Sequence, residues 1–323
     1  MFRNNQFVNV HSDTAFQALA LEIYNFQLKN CRVYSEYVNL LKRESPTSIY
    51  EIPFLPIQFF KTHDVLSTQK TGFETLFLSS GTGLVGRSKH LVSDISIYEE
   101  SFRKAFELQF GNTKNLVILA LLPNYIEQGN SSLVYMVDDL IKQTENDLSG
   151  FLLDDFNQIR ERYHTALNSG KNVVIFGVSY ALLDLAEKGF DLSKARIIET
   201  GGMKGRREEI SKNELHERIK IGLGVDYVSS EYGMTELLSQ AYSEKEGVFY
   251  TPPWMKVIFS DVYDPLTVVS GESSSIINVI DLANINSCSF IQTQDLGRKM
   301  HGGFFLEGRL NLSDIRGCNL MVD

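Results

Sequence analysis

From residue 75 onward the sequence alternates short apolar runs with longer amphipathic stretches, and this alternation restricts the fold more than anything else in it. TLFLS (75–79), NLVILALL (115–122), NVVIFG (172–177), ARIIET (195–200) and VDYVSS (225–230) each predict a strand, and GFLLDD (150–155) a short one. Residues 93–110, 131–144, a stretch ending near 168, 179–188 and 206–219 predict the helices between them. A strand that is apolar along its whole length must be covered on both faces, and helices that return the chain between parallel strands supply that cover. The expectation is an α/β fold, with mostly parallel sheets flanked by helices.

The flanks read differently. Residues 14–29 predict an amphipathic helix capped by Asp13 or Thr14, and 31–42 a second helix. SIYEIPFLPIQFFKTHDVLS (48–67) sets two prolines among large apolar groups and predicts an extended, packed connector. After Tyr232, segments 247–259, 264–270, 275–281 and 288–293 predict short strands in a small β-rich portion. The expected organisation is N-terminal helices and connector over 1–74, an α/β nucleotide-binding core over 75–246 and the β-rich portion over 247–323.

Composition narrows the function classes. Lysine and arginine total 31 against 40 aspartates and glutamates, a net charge of −9, with no basic patch interleaved with aromatics, so a nucleic-acid surface is not expected. Cys31, Cys288 and Cys318 lie far apart with no C-x-x-C pair, which argues against structural zinc and for a reducing compartment. No apolar run approaches the roughly 18 residues that span a bilayer. The polar start MFRNNQFVNVHSD lacks a signal-peptide apolar core. A cytoplasmic protein without a membrane span is expected.

SSGTGLVGRSKH, Ser79 to His90, is where chemistry enters, and it admits three readings. Gly81, Gly83 and Gly86 spell the G-x-G-x-x-G of a dinucleotide site, but polar residues delay the following helix and Glu99 and Glu100 fall inside that helix, where a ribose ligand is not expected. Gly81 to Ser88 approximates a Walker A loop, with Arg87 where its lysine belongs. The third reading is a pyrophosphate cradle. Ser79, Ser80 and Thr82 supply hydroxyls, Gly81 and Gly83 expose backbone N–H groups, and Lys89 adds a mobile charge.

Companion segments favour the third reading. EYGMTE (231–236), IQTQDLGR (291–298) and EGRLNLSDIRGCNL (307–320) follow in order, and with the loop they resemble the adenylate-forming superfamily of acyl-CoA synthetases and adenylation domains. Ser79–Lys89 is similar to its phosphate loop. Tyr232, Gly233, Thr235 and Glu236 are similar to its Y-G-x-T-E motif. Thr293, Asp295 and Gly297 are similar to its T-G-D-L-G motif, with Gln294 in place of the glycine. The resemblance implies ATP and Mg²⁺: Glu236 for the metal, Thr235 on the α-phosphate, Tyr232 stacked on adenine, Asp295 on the ribose hydroxyls and Arg309 nearby. Gly201 and Gly202, with Lys204 and Gly205, resemble the adenine-side loop, where glycines let the backbone approach a flat base. The family's C-terminal domain, with its adenylation lysine, is expected to be absent.

IPFLPIQFFKTHDV, ETGGMKGRREEI and RGCNLM further resemble the acyl-protein synthetase of luminous bacteria (LuxE-like), over residues 50–320. That resemblance implies activation of a fatty acid and transfer to Cys318, whose neighbour Arg316 would favour the thiolate. It also implies a partner, either an acyl-CoA reductase-like subunit or an acyl carrier protein. LPNYIEQGNSSLVYMVDDL (122–140) is a candidate acyl-pocket lining. Two alternatives stay open: a truncated or divergent acyl-CoA ligase, and a non-catalytic nucleotide-binding relative acting as a partner subunit.

Overall fold

The computed structural model describes residues 6–67, 72–80, 86–122, 130–153, 155–202, 206–208 and 210–310. The fold is mixed α/β, and its contacts cluster into two units. One takes in the described residues up to Tyr98, Glu236–Ser239 and those from Val248 on; the other takes in Glu99–Thr235 and Gln240–Gly247.

The apolar alternation builds the sheet of the second unit. Its strands run in the spatial order Ala241–Ser243, Val228–Tyr232, Arg196–Thr200, Asn172–Val178, Leu116–Leu121 and Gly150–Phe151. All are parallel except Ala241–Ser243, which pairs antiparallel with Val228–Tyr232. Every residue of Leu116–Leu121 is buried, as is every residue of Asn172–Val178 except the first, which is what cover on both faces requires.

Three of the helices in this unit start at a polar cap. Ser131 caps Ser132–Gln143 by accepting from Val134 N at 3.4 Å, and Asp155 caps Phe156–Asn168 by accepting from Gln158 N at 3.0 Å. The last helix begins at Lys212, six residues later than the sequence predicts, because Ser211 caps it through Glu214 N at 3.2 Å. Its apolar spacing alone did not show that the polar stretch before Ser211 lies outside it.

The first unit is antiparallel. Its strands run Val268–Val269, Met255–Ser260, Ser275–Asp281, Phe290–Met300, Gly303–Arg309 and Val248–Tyr250, with Leu55–Pro56 of the proline-rich connector parallel to Phe290–Met300. Thr75–Leu78 and Lys89–Val92 form a separate antiparallel hairpin. The second of these strands was not foreseen, nor was Gly303–Arg309.

Helix Asp13–Asn30 is capped by Ser12, which accepts from Ala15 N at 3.2 Å, and not by Asp13 or Thr14. It buries Phe16, Ala20, Ile23, Tyr24 and Gln27 on one face. Tyr34, from helix Arg32–Leu41, stacks on Phe290 at 5.9 Å between ring centroids. Gln27 is the polar exception on the apolar face. Its amide nitrogen donates to Asn284 O (3.1 Å), Ile285 O (2.9 Å) and Ser289 Oγ (3.2 Å), and its oxygen accepts from Ser289 N (3.0 Å). One amide thus holds the first helix to the 284–289 turn. Gln27→Leu would keep the volume but remove the Gln27 partner of Ile285 O and Ser289 N, at roughly 1–3 kcal/mol for each buried group left unpaired, while Asn284 O keeps its bond from Ser287 N. The expected loss of unfolding free energy is about 2–4 kcal/mol, read as a lower urea midpoint with unchanged slope.

Candidate active site

The glycine-rich stretch lies between two strands that pair antiparallel, Thr75–Leu78 and Lys89–Val92, so its described end runs into a strand and not into a helix. Dinucleotide and Walker A loops place phosphate on the first turn of a helix that follows directly. Among the described residues the next helix, Ile95–Phe110, starts only after a second strand, and that topology argues against both readings. Ser79 and Ser88 close the base of the loop. Ser79 N donates to Ser88 O at 3.0 Å, and Ser88 N donates to Ser79 Oγ at 2.9 Å. Arg87 folds back onto the carbonyls of Ser79 and Leu78. Ser80 is exposed. Lys89 meets Asp64 with its ammonium 2.6 Å from Oδ1, an exposed pair. Gly81, Thr82 and Gly83 lie outside the described residues.

Glu236 belongs to the same unit and is buried. Burial pushes its carboxyl above the usual range, opposed by a hydrogen bond from the Ser88 hydroxyl and by the charges of Arg309 and Lys61. The end of the glycine-rich loop and the Y-G-M-T-E carboxylate therefore meet. Asp281, fully buried at the end of Ser275–Asp281, holds the turn that carries Glu236. It accepts from Leu238 N (2.8 Å), Ser239 N (3.0 Å), Ser239 Oγ (2.6 Å) and Ala283 N (3.1 Å). Asn284 Nδ2 donates to Glu236 O at 2.7 Å. Among the described residues no three His, Cys, Asp or Glu side chains gather to cage a metal ion. A lone buried carboxylate beside a hydroxyl fits Mg²⁺ in its usual mode, which keeps waters and takes phosphate oxygens alongside one or two carboxylates.

Asp295 and Arg309 are register partners on neighbouring strands, with Arg309 Nε 3.3 Å from Asp295 Oδ1. Asp295 N donates to Thr293 Oγ1 at 3.1 Å, and Thr293 Oγ1 donates to Ile277 O at 2.7 Å, so the T-Q-D-L-G segment orients its own carboxylate.

The second unit carries Gly201, Gly202, Tyr232, Gly233 and Thr235. Gly201 and Gly202 follow Arg196–Thr200, and Gly201 takes φ +75°, a conformation that favours glycine. Tyr232 is the buried last residue of Val228–Tyr232, and Thr235 is half-buried. Gly233 leaves room for a carboxylate: a Cβ there would stand 2.0 Å from Glu231 Oε1.

That carboxylate is part of a cluster absent from the motif reading. Glu199, buried, accepts from Ser179 Oγ (2.5 Å) and Ser230 Oγ (3.1 Å), with Lys212 Nζ 3.7 Å and His216 Nε2 3.9 Å from its Oε2. Burial raises its carboxyl, but His216, Lys212 and the Ser179 hydroxyl outweigh that and hold it below the usual range. Glu231 accepts from Thr200 Oγ1 at 2.6 Å. Burial and the nearby Glu199 charge outweigh Thr200 and Lys212, and push the Glu231 carboxyl up to about 7. Glu199, Glu231 and Asp281 share a signal the sequence offers: each is a carboxylate near the carboxyl end of an apolar strand, in ARIIET, VDYVSSEY and SIINVID.

Cys318, Asp314 and Arg316 lie outside the described residues, as do Lys204, Gly205 and 123–129 of the candidate acyl lining. Cys31 and Cys288 are fully buried, and burial raises both thiols. No helix among the described residues is long and apolar enough to cross a membrane.

No family model and no curated protein matches the chain. Solved structures do. The ATP-bound MatB of Rhodopseudomonas palustris aligns at TM-score 0.54 and 16% identity, over 75% of this chain and 50% of its own. A 2-hydroxyisobutyryl-CoA ligase in the postadenylation state, in complex with 2-HIB-AMP, aligns at TM-score 0.66 and 9% identity, over 96% of this chain and 73% of its own. The fatty acyl-adenylate ligase of L. pneumophila, in complex with acyl adenylate and pyrophosphate, aligns at TM-score 0.50 and 14% identity, over 79% of this chain and 55% of its own. The chain spans about half the length of MatB. At these identities the likeness is one of fold: the chain has the α/β fold of the N-terminal domain of adenylate-forming ligases.

The cluster carries a pH signature. Glu231 titrates at about 7 in the folded chain against an ordinary 4.5, so the native state holds an extra proton between those values. Its contribution to stability therefore falls as pH rises from about 4.5 to about 7, then stays level. Glu231→Gln is expected to stabilise the protein above pH 7, by at most about 3 kcal/mol at roughly 1.4 kcal/mol per pKa unit, with no gain at pH 4. Thermal melts of both proteins across that range check the sign.

Proposed function

We propose that the chain is an acid-activating ligase that joins a carboxylic acid, by our reading a fatty acid, to the AMP moiety of ATP and then passes the acyl group to a thiol. The observation that carries this is the meeting of Ser88, at the end of the glycine-rich hairpin loop, with the buried carboxyl of Glu236. That meeting brings the end of the proposed pyrophosphate loop to the carboxyl proposed to hold the metal, with Lys61 and Arg309 adding positive charge near that carboxyl.

A carboxylate is a poor acyl donor because its leaving group would be hydroxide or oxide. In the first half-reaction its oxygen attacks the α-phosphorus of ATP, the bond to the bridging oxygen breaks, and pyrophosphate departs. The protein's part is to position the reactants and neutralise charge. Ser79 to Lys89 would receive the pyrophosphate. Lys89 must first leave Asp64, which costs little because exposed ion pairs are worth about 0–1 kcal/mol. Glu236 would hold Mg²⁺, which when bound offsets phosphate charge. Thr235 would contact the α-phosphate, Tyr232, Gly201 and Gly202 the adenine, and Asp295, aligned by Arg309, the ribose hydroxyls.

In the second half-reaction the acyl group moves to sulfur. The LuxE-like resemblance favours Cys318 as acceptor and a reductase-like subunit or carrier protein as the next partner, in a cytoplasmic setting. Coenzyme A is the alternative acceptor.

ATP–pyrophosphate exchange with Mg²⁺ and a panel of acids from acetate to long-chain tests the reading. Exchange with one acid class is expected, and Glu236→Gln should lower it about 10²- to 10³-fold, the usual loss for a group that stabilises charge in the transition state. Cys318→Ser should retain exchange and lose covalent acylation, seen by intact mass. Absence of exchange with every acid, in folded protein, would overturn the proposal and leave a nucleotide-binding partner subunit.

A further inference from the structure

Glu199 and Glu231 stand near the carboxyl ends of adjacent parallel strands, Arg196–Thr200 and Val228–Tyr232. In open parallel sheets that edge is where ligands bind. The two segments proposed for the nucleotide, Gly201–Gly202 and Tyr232–Gly233, lie at the ends of these strands. Glu231 lies between them in contact terms: one oxygen accepts from Thr200, the residue before Gly201, and the other presses on Gly233.

The two carboxyls are treated differently by their surroundings. Glu199 has two hydroxyl donors, with Lys212 and His216 beside it, and serves as a fixed anion. Glu231 is held by the Thr200 hydroxyl. Among the described residues, the charged groups that act on it are Glu199 on its own sheet and Lys212 on helix Lys212–Leu223, with His216 of that helix beside Glu199. Across the antiparallel pairing its register partner is Tyr242. Paired carboxyls whose environments drive their proton affinities apart mark a fixed charge and a proton carrier.

Building on the proposed ligase reaction, we propose that Glu231 is its proton acceptor, the catalytic residue that takes the proton of the attacking thiol. The chemistry leaves little else for such a group to do. Adenylation starts from an ionised carboxylate and requires no proton to be removed from it. Thioester formation does: the thiol sulfur bonds to the acyl carbon, the carbon–oxygen bond to AMP breaks, AMP leaves with the electron pair, and the sulfur's proton passes to Glu231. A free thiol near 8.5 is mostly protonated at neutral pH, and a base that titrates near the working pH is the most effective partner for it. The raised affinity of Glu231 for protons agrees with that role. Glu199 and Lys212 are positioning residues that set it.

The test compares the two half-reactions, with exchange read as above and transfer read as acyl-coenzyme A formation and as protein acylation by intact mass. Glu231→Gln is expected to lower transfer about 10²-fold more than exchange. Wild-type transfer should rise with pH to a midpoint near 7, and the variant should lose that rise. Glu199→Gln removes a neighbouring negative charge and should move the midpoint to lower pH, which a merely structural role would not do. Parallel loss of exchange and transfer, or an unchanged pH profile in Glu231→Gln, would overturn the inference. Wild-type protein that exchanges with an acid while Glu231→Gln transfers normally removes this inference alone. Wild-type protein that exchanges with none removes the functional reading and this inference with it.

Discussion

The first unit depends on the buried carboxylate of Asp281. Four donors, from Leu238, Ser239 and Ala283 on two turns, converge on it. Trp254 adds an indole N–H to the same Ser239 hydroxyl at 3.0 Å. Asn284 extends the network to the Glu236 carbonyl, and the Asn284 carbonyl in turn receives the Gln27 amide. The chain from the N-terminal helix to the Glu236 turn is therefore continuous hydrogen bonding in a nearly dry interior, where each bond is stronger and each loss costlier than in water. A carboxylate can be buried at such a place only if its oxygens are saturated, and here they are.

Electrostatic divergence in the second unit comes from the same physics with a different outcome. Asp281 meets only neutral donors. Glu199 has Lys212 and His216 within 4 Å and sits low. Glu231, one strand over, receives a hydroxyl and the repulsion of Glu199, and sits high. Burial alone would raise all three. The second partner decides whether a buried carboxyl becomes a structural clasp, a fixed charge or a proton carrier.

Most of the fold was legible because strands such as NLVILALL admit only one kind of environment. The covering helices were legible by their spacing, although Ser211 set a start that periodicity does not encode. The hairpin was not legible. KHLV carries two polar residues and follows a loop that fits three phosphate motifs, so 89–92 read as the end of that loop and not as a strand. Yet this strand is what discriminates among the motifs, since it denies the loop a helix terminus. Of the candidate site, Glu236 and Asp295 were visible as motif members. Glu199 and Glu231 were not, because a carboxylate closing an apolar strand reads as the first polar residue of a loop until its neighbours are known.

The two buried thiols have a practical corollary. Cys31 and Cys288 have no exposed surface, so in the folded chain a maleimide reagent has at most one cysteine, Cys318, left to find. The number of labels per chain thus becomes a gauge of integrity: three for unfolded material, no more than one for native. Two of the protein's three thiols are thus already chemically silenced by packing.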